Sequence, residues 1–264
     1  MHSRHLLAIL GALVAASLSP APRARAEVHG GATVELGFQR VDDVNAFTPL
    51  LSGWVSIQQR ARLEAAMGLA VLGEGGERQA APGNPYLGVA FTLPTTRART
   101  YAGAGVAIPV ATAGPDSPPL YRGTALRAFR DQWLWAPGTL AAVISGGAAT
   151  PAGGGFEATL AGDAALLVGT DDRARDGLDV DLQLVGTGTY ALGRMLSLGA
   201  SLTAVWVPTA DGDTFQLSVE PFLRLALGPL QAQVGLTLPI DEPLGPPFAD
   251  DGGWGTQFAL SFAL

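Results

Sequence analysis

Residues 155–169 read GFEATLAGDAALLVG, and this stretch decides the fold class. One set of alternate residues is apolar or small: Phe156, Ala158, Leu160, Ala164, Leu166 and Val168. The other set is small, polar or charged: Glu157, Thr159, Ala161, Asp163 and Ala165. Because successive side chains of a β-strand point to opposite faces, the pattern predicts a strand with two chemically different faces.

The same period of two recurs along the chain and predicts further strands. The candidates are 31–41, 50–58, 61–72, 84–93, 99–110, 138–148, 155–169, 177–191, 195–207, 213–227, 229–240 and 253–264. Their second face is mostly Gly, Ala, Ser, Thr and Gln, which suits a closed interior better than bulk water. Strands of this length suit a tilted membrane wall, and a sheet in lipid must close to pair its edges. The predicted fold is therefore all-β: a transmembrane, antiparallel up-and-down barrel of about 12 strands.

Composition excludes several classes of protein. The chain has 264 residues, of which 48% are hydrophobic and only 15% charged, with 35 Gly, 19 Pro and no Cys. No run of about 18 apolar residues is present, which excludes an ordinary helical membrane protein. The absence of Cys excludes disulfides, thiol catalysis and zinc–thiolate sites. The net charge of −7 argues against a nucleic-acid partner, because such binding needs basic patches.

The N-terminus has the features of an export signal. Arg4 precedes an apolar run from Leu6 to Leu18, and Ala24-Arg25-Ala26 fits a small-x-small cleavage site. We expect a cleaved signal peptide over residues 1–26 and a mature barrel over 27–264, with an uncleaved anchor as the alternative.

The predicted connections alternate between short and long. The short ones are 58–60, 94–98, 150–154, 192–194 and 228–229, and the long ones are 42–49, 73–83, 111–137, 170–176, 208–212 and 241–252. Acidic residues gather in the long set, for example Asp171-Asp172 and Asp250-Asp251. Short turns at one end and long loops at the other are typical of bacterial outer-membrane barrels, with both termini in the periplasm.

One long connection carries helical spacing. Residues 120–135 read LYRGTALRAFRDQWLW, with Leu126, Phe129 and Trp133 on one side and Arg130 placed elsewhere around the helix. The spacing predicts a short amphipathic helix between flanking prolines. It could fold into the barrel mouth, lie at the membrane interface or cover the rim.

Charged residues at inward positions are the candidate functional lining. They are Glu35, Arg62, Glu64, Glu157, Asp163, Asp179, Asp181, Glu220 and Arg224. One interpretation is a lumen that selects solutes by charge. The other is an interior salt-bridge network that stiffens the barrel.

Several short motifs resemble those of a known group. They are residues 81–88 (APGNPYLG), 103–109 (GAGVAIP), 205–209 (VWVPT) and 241–247 (DEPLGPP), all at predicted strand ends or loops. The chain resembles the Gram-negative outer-membrane barrels named after the meta-pathway of phenol degradation. This resemblance implies a barrel and a channel or transporter for small, often hydrophobic molecules.

The terminal strand 254–264 (WGTQFALSFAL) resembles the C-terminal signal that the barrel-assembly machinery reads. It departs from that signal by ending on Leu264, with Phe262 two residues earlier. The expected partners are outer-membrane lipid, this machinery and a small-molecule solute of unknown identity.

Histidine usage argues against an enzyme. His2 and His5 lie in the predicted signal peptide, and His29 falls in the expected N-terminal tail, so no catalytic residue, cofactor or metal is expected. The leading function is passage of small molecules across the outer membrane. The alternative is a structural or surface-interaction barrel with a plugged lumen and acidic extracellular loops.

Overall fold

The computed structural model describes residues 28–41, 44–58, 60–74, 77–93, 98–111, 130–150, 154–170, 177–209, 214–240 and 254–263. The predicted signal peptide, residues 1–26, and the acidic pairs 171–172 and 250–251 lie outside these ranges. Among the described residues, no helix is long and apolar enough to cross a membrane.

The described chain is almost entirely β-strand. The strands are β1 (Val28–Val41), β2 (Val44–Ile57), β3 (Ala61–Glu74), β4 (Glu77–Pro82), β5 (Tyr86–Leu93), β6 (Arg99–Ala107), β7 (Thr139–Ala149), β8 (Phe156–Gly169), β9 (Leu178–Ala191), β10 (Leu196–Trp206), β11 (Phe215–Leu227), β12 (Leu230–Pro239) and β13 (Trp254–Ala263).

The sheet closes on itself. Neighbouring strands pair antiparallel in chain order, and β13 returns to pair with β1 from Gly31↔Ala263 to Arg40↔Trp254. One half of β3 pairs with β4 and the other half with β5, so these two short strands share one position in the wall. The result is a closed antiparallel barrel of 12 strands, which confirms the predicted fold class.

The period of two sorts the side chains between the two faces of the wall. In β7, Leu140 and Ile144 face outward and are exposed, whereas Ala141 and Val143 face inward and are buried. Large apolar side chains recur on the outside of the other strands, among them Leu51, Leu63, Leu87, Leu160, Leu184 and Val234. The apolar half of each strand therefore forms the outer surface and not a core.

Two connections expected to be long loops are strand hairpins instead. Most of 42–49 belongs to β2, and most of 73–83 belongs to β3 and β4. Pro49 suggests a break in the strand, but β2 continues through it. The β2–β3 register is the same on both sides of the proline, with Phe47↔Val71 before it and Leu50↔Gly68 after it. The ladder skips the positions between them, where the proline has no N–H to donate.

His29 also lies elsewhere than expected. It is part of β1, opposite Ser56 of β2, and not of a tail before the first strand. The reason is that the β1–β2 hairpin pairs along its whole length, which draws residues 28–30 into the wall.

Candidate functional site

A short segment of the β6–β7 connection crosses the lumen. We call residues 130–136 the strap. Its middle is a single 3-10 turn, Gln132–Leu134, and not the end of the amphipathic helix predicted over 120–135. Asp131 has a left-handed backbone (φ 58°), which interrupts helical geometry. Leu126 and Phe129 of that predicted helix lie outside the described residues.

The strap rests on an apolar seat inside the barrel, so its described part is neither at the outer interface nor above the rim. Trp133, Leu134 and Trp135 are all buried. The wall residues of their cluster come from β2 to β8 and the adjoining connection: Leu50, Ala70, Ala81, Ala107, Ala111, Ala141, Val143, Ala165 and Leu167. Gly68 makes room for this packing, because a Cβ there would collide with the Trp135 ring.

Asn84 fastens the strap to the wall. It is fully buried in the break between β4 and β5. Its side-chain amide donates to the carbonyl oxygens of Trp133 (3.1 Å) and Ala136 (2.7 Å), and its backbone N–H donates to that of Leu134 (2.7 Å). Its side-chain oxygen accepts from the N–H groups of Val110 and Ala111, both at 3.0 Å. One side chain thus satisfies the backbone of two buried connections.

The other end of the strap reaches the opposite wall through ionic and polar contacts. The Arg130 guanidinium lies 3.6 Å from a carboxylate oxygen of Glu35 on β1 and 4.0 Å from one of Glu220 on β11. The backbone N–H of Asp131 donates to the Gln183 side chain on β9 at 2.9 Å. The strap therefore bridges the barrel from the β3–β8 wall to the β9–β1 wall.

The space beside Arg130 is very small. A cleft of about 10 Å³ lies there, lined by Glu35, Gly37, Arg130, Thr203, Ser218, Glu220, Thr237, Thr256 and Gln257. This volume holds about one water molecule. With Arg130 in this position, the described residues leave no opening at the cleft that is wider than one water molecule.

A much larger cavity, which we call the chamber, lies between the strap and the short-turn end of the barrel. Its volume is about 750 Å³. Asp131, Trp133 and Leu134 of the strap form its roof, and Arg62 and Arg99 stand near its mouth. Tyr86 and Tyr101 line its wall, as do Glu64 and Asp163.

The charged residues predicted for the lumen fall into two layers. Near the short turns, Arg62 pairs with Glu64 (2.9 Å) and lies over the Trp54 ring, and Glu157 pairs with Arg99 (2.8 Å). In the same layer the Arg224 guanidinium donates to the side-chain oxygen of Gln233 on β12 (3.0 Å).

The second layer lies further along the strands. Glu35 and Glu220 both contact Arg130, and Asp163 accepts a hydrogen bond from Gln183 at 3.3 Å. Asp181 is fully buried, and neither of its carboxylate oxygens has a hydrogen-bond partner among the described residues. Asp179 is half-buried and is the second residue of β9, two positions before Asp181.

Other residues of the site were not singled out from the sequence. The alternation could have identified Arg99 and Tyr101, because they share a parity along β6. Nothing in the sequence indicates the buried role of Asn84, since Gly-Asn-Pro reads as an ordinary turn. Within the described ranges, no group of three or more His, Cys, Asp or Glu could hold a metal ion.

Comparison with known proteins identifies the class of fold. An outer-membrane channel from Pseudomonas putida F1 is 14% identical, with 94% of this chain and 100% of that chain covered and a TM-score of 0.61. The NanC porin is 10% identical (88% and 100% covered, TM-score 0.57), and the KdgM porin is 8% identical (87% and 98% covered, TM-score 0.52). The chain therefore has the closed-barrel fold of outer-membrane channels and porins.

Neither the family models nor the curated proteins compared with the sequence give a match. The resemblance to the barrels of the phenol-degradation meta-pathway stays a prediction from the sequence motifs.

Proposed function

We propose that the protein is an outer-membrane channel for small molecules, with a lumen that the strap narrows. The observation that carries this proposal is the contrast between the two faces of a closed wall. The outside is a belt of large apolar side chains, and the inside holds polar and charged groups around a 750 Å³ chamber. A barrel that is oily outside and polar inside suits a protein that conducts solutes through lipid.

In this proposal the short turns face the periplasm, as do both termini, and residues 1–26 are removed after export. The C-terminal strand β13 closes the wall by pairing with β1. This position supports the expectation that the barrel-assembly machinery reads that strand.

The route for solutes passes the strap on the side where Arg130 stands. The opposite side of the strap is filled by Trp133, Leu134 and Trp135. The Arg130 side is lined by Glu35, Glu220, threonines and a serine, and it is closed by one flexible side chain. Arg130 is therefore the group that sets the width of the channel in this state.

Single-channel conductance of the purified, refolded protein in planar bilayers tests this function. The wild type is expected to conduct ions. Arg130→Ala is expected to raise the conductance several-fold, because it removes the side chain between Glu35 and Glu220. Arg60→Ala is the matched control, since this exposed arginine lies in the turn between β2 and β3, outside the cleft.

If correctly folded wild type and Arg130→Ala both fail to conduct ions and to admit sugars into liposomes, the channel proposal is wrong. The structural or surface-interaction barrel would then be the better description. If Arg60→Ala raises the conductance as much as Arg130→Ala, the route beside Arg130 is wrong.

A further inference from the structure

The chamber under the strap has the size of a ligand site. Its 750 Å³ lies within the range of about 300–1,000 Å³ that is typical of small-molecule pockets. A featureless water-filled lumen would have no roof, whereas this cavity is closed on one side by Trp133 and Leu134. The chamber therefore has enough enclosure to hold a molecule on its way through the barrel.

Aromatic side chains give the chamber an apolar wall. Tyr86 and Tyr101 come from the adjacent strands β5 and β6, and Trp133 faces them from the strap. Glycines on neighbouring strands make room for the two tyrosine rings. A Cβ at Gly105 would collide with Tyr86, and a Cβ at Gly147 would collide with Tyr101. The rings therefore lie close to the wall and leave the centre of the chamber open.

The charges of the chamber disfavour an anionic ligand. The two described arginines that line it are both engaged, Arg62 with Glu64 at 2.9 Å and Arg99 with Glu157 at 2.8 Å. An incoming anion would have to displace a carboxylate from one of them.

Asp163 is the carboxylate of the chamber that has no cationic partner within the described part of the chain. Among the described residues, its hydrogen-bond partner is the neutral amide of Gln183, and no arginine lies within salt-bridge distance of it. The strap carboxylate of Asp131 lines the same cavity, but it is paired with the Arg130 guanidinium at 3.7 Å, which leaves Asp163 as the carboxylate available to a ligand. An unpaired carboxylate beside aromatic rings is the arrangement that favours a cation with an apolar body.

We propose that the chamber is a binding site for small organic cations. An ammonium or guanidinium group would approach Asp163, and an apolar or aromatic body would pack against Tyr86, Tyr101 and Trp133. This inference rests on the proposed function, since it names the class of solute that the channel recognises.

Three probes with the same apolar body test the charge preference. They are 2-phenylethylammonium, the neutral 2-phenylethanol and the anion 3-phenylpropionate. Binding to the folded wild-type protein in detergent is measured by calorimetry at mildly alkaline pH, so that the carboxylate is ionised. The ammonium is expected to bind, the alcohol to bind about ten-fold more weakly, and the anion not to bind.

Asp163→Asn is expected to weaken binding of the ammonium about ten-fold and to leave binding of the alcohol unchanged. The amide keeps the shape of the side chain and a hydrogen bond to Gln183, so the barrel should fold normally. Asp179→Asn is the matched control. It removes the same charge at an inward position of β9 close to the opposite end of the barrel.

Equal binding of the three probes would overturn the proposal, and so would an equal loss of ammonium affinity in both variants. The two proposals fail separately. If the protein conducts ions but does not bind the ammonium, the channel proposal stands and the organic-cation site is wrong. If Asp163→Asn weakens ammonium binding but the protein does not conduct ions, the binding site is supported and the channel proposal is wrong.

Discussion

On strands β2–β8 the buried inward residues are mostly apolar and the strap packs against them, whereas on β9–β13 and β1 they are mostly polar. The polar set is Gln39, Asp181, Gln183, Thr203, Gln216, Ser218, Glu220 and Thr237. The difference shows how one part of the wall can hold the strap while the rest of the lumen stays polar. Apolar contacts and Asn84 fix the strap on one side, whereas Arg130 and the backbone N–H of Asp131 make its polar contacts to the other.

The largest effect is expected from removing the apolar anchor of the strap. Trp135→Ala deletes a fully buried ring and should lower the free energy of unfolding by about 3–5 kcal/mol. It should also raise the conductance, because the strap loses its seat. Phe222→Ala removes a buried inward ring on β11 but leaves the strap on its seat, so it should cost a similar free energy of unfolding with a smaller rise in conductance. Denaturant titration in vesicles and bilayer recording measure the two effects.

A rise in conductance for Phe222→Ala equal to that for Trp135→Ala would contradict the division of the lumen into two sides. If the conductance rises for neither variant, the packing of Trp135 does not control the width of the channel.

The second comparison is between the inside and the outside of one strand. Ile144 of β7 is 64% exposed on the outer face, and its neighbour Ser145 lines the chamber. Ile144→Arg should destabilise the barrel in a bilayer by about 2–4 kcal/mol, because it places a charge in lipid near the middle of the strand. Ser145→Arg should cost much less. The yield of folded protein in outer-membrane fractions and its unfolding in vesicles measure the difference.

If both variants fold equally well in membranes, or if the wild type is recovered without detergent in the soluble fraction, the outer face of β7 does not contact lipid.

The smallest of these effects is expected at Asn84. Asn84→Ala leaves the carbonyl oxygens of Trp133 and Ala136 and the N–H groups of Val110 and Ala111 without this partner. We expect the free energy of unfolding to fall by about 1–3 kcal/mol, because water that enters the site replaces only part of the lost hydrogen bonds. Asn45→Ala, at an exposed asparagine of β2, is the control and should be close to neutral. A loss of the same size in both variants would show that Asn84 does not hold the strap.

The wall could be predicted because its signal is local. A period of two over ten or more residues needs no knowledge of distant parts of the chain, and closure follows from the cost of unpaired strand edges in lipid. The errors fell at the ends of strands, where 42–49 and 73–83 were predicted to be loops and belong mostly to strands. Residues 42–49 were predicted to be a loop, yet β2 runs through Pro49, where the β2–β3 ladder skips positions 48 and 49 and so needs no N–H from the proline.

The site could be predicted only in part. Alternation placed Glu35 and Glu220 on inward positions, but it could not show that both meet Arg130, since these residues lie far apart in sequence. The chamber depends on where Tyr86, Tyr101 and Trp133 come together, which is equally non-local.

The sequence by itself determined the barrel, its two chemically different faces and the excess of acidic over basic residues. Only the tertiary structure decided that residues 130–136 cross the lumen, that Asn84 holds them there and that Arg130 lies beside Glu35 and Glu220 on the far wall. The physical reason is the range of the interactions. Strand periodicity is written into consecutive residues, whereas the place of a loop inside a barrel depends on contacts between distant strands that form only when the sheet closes.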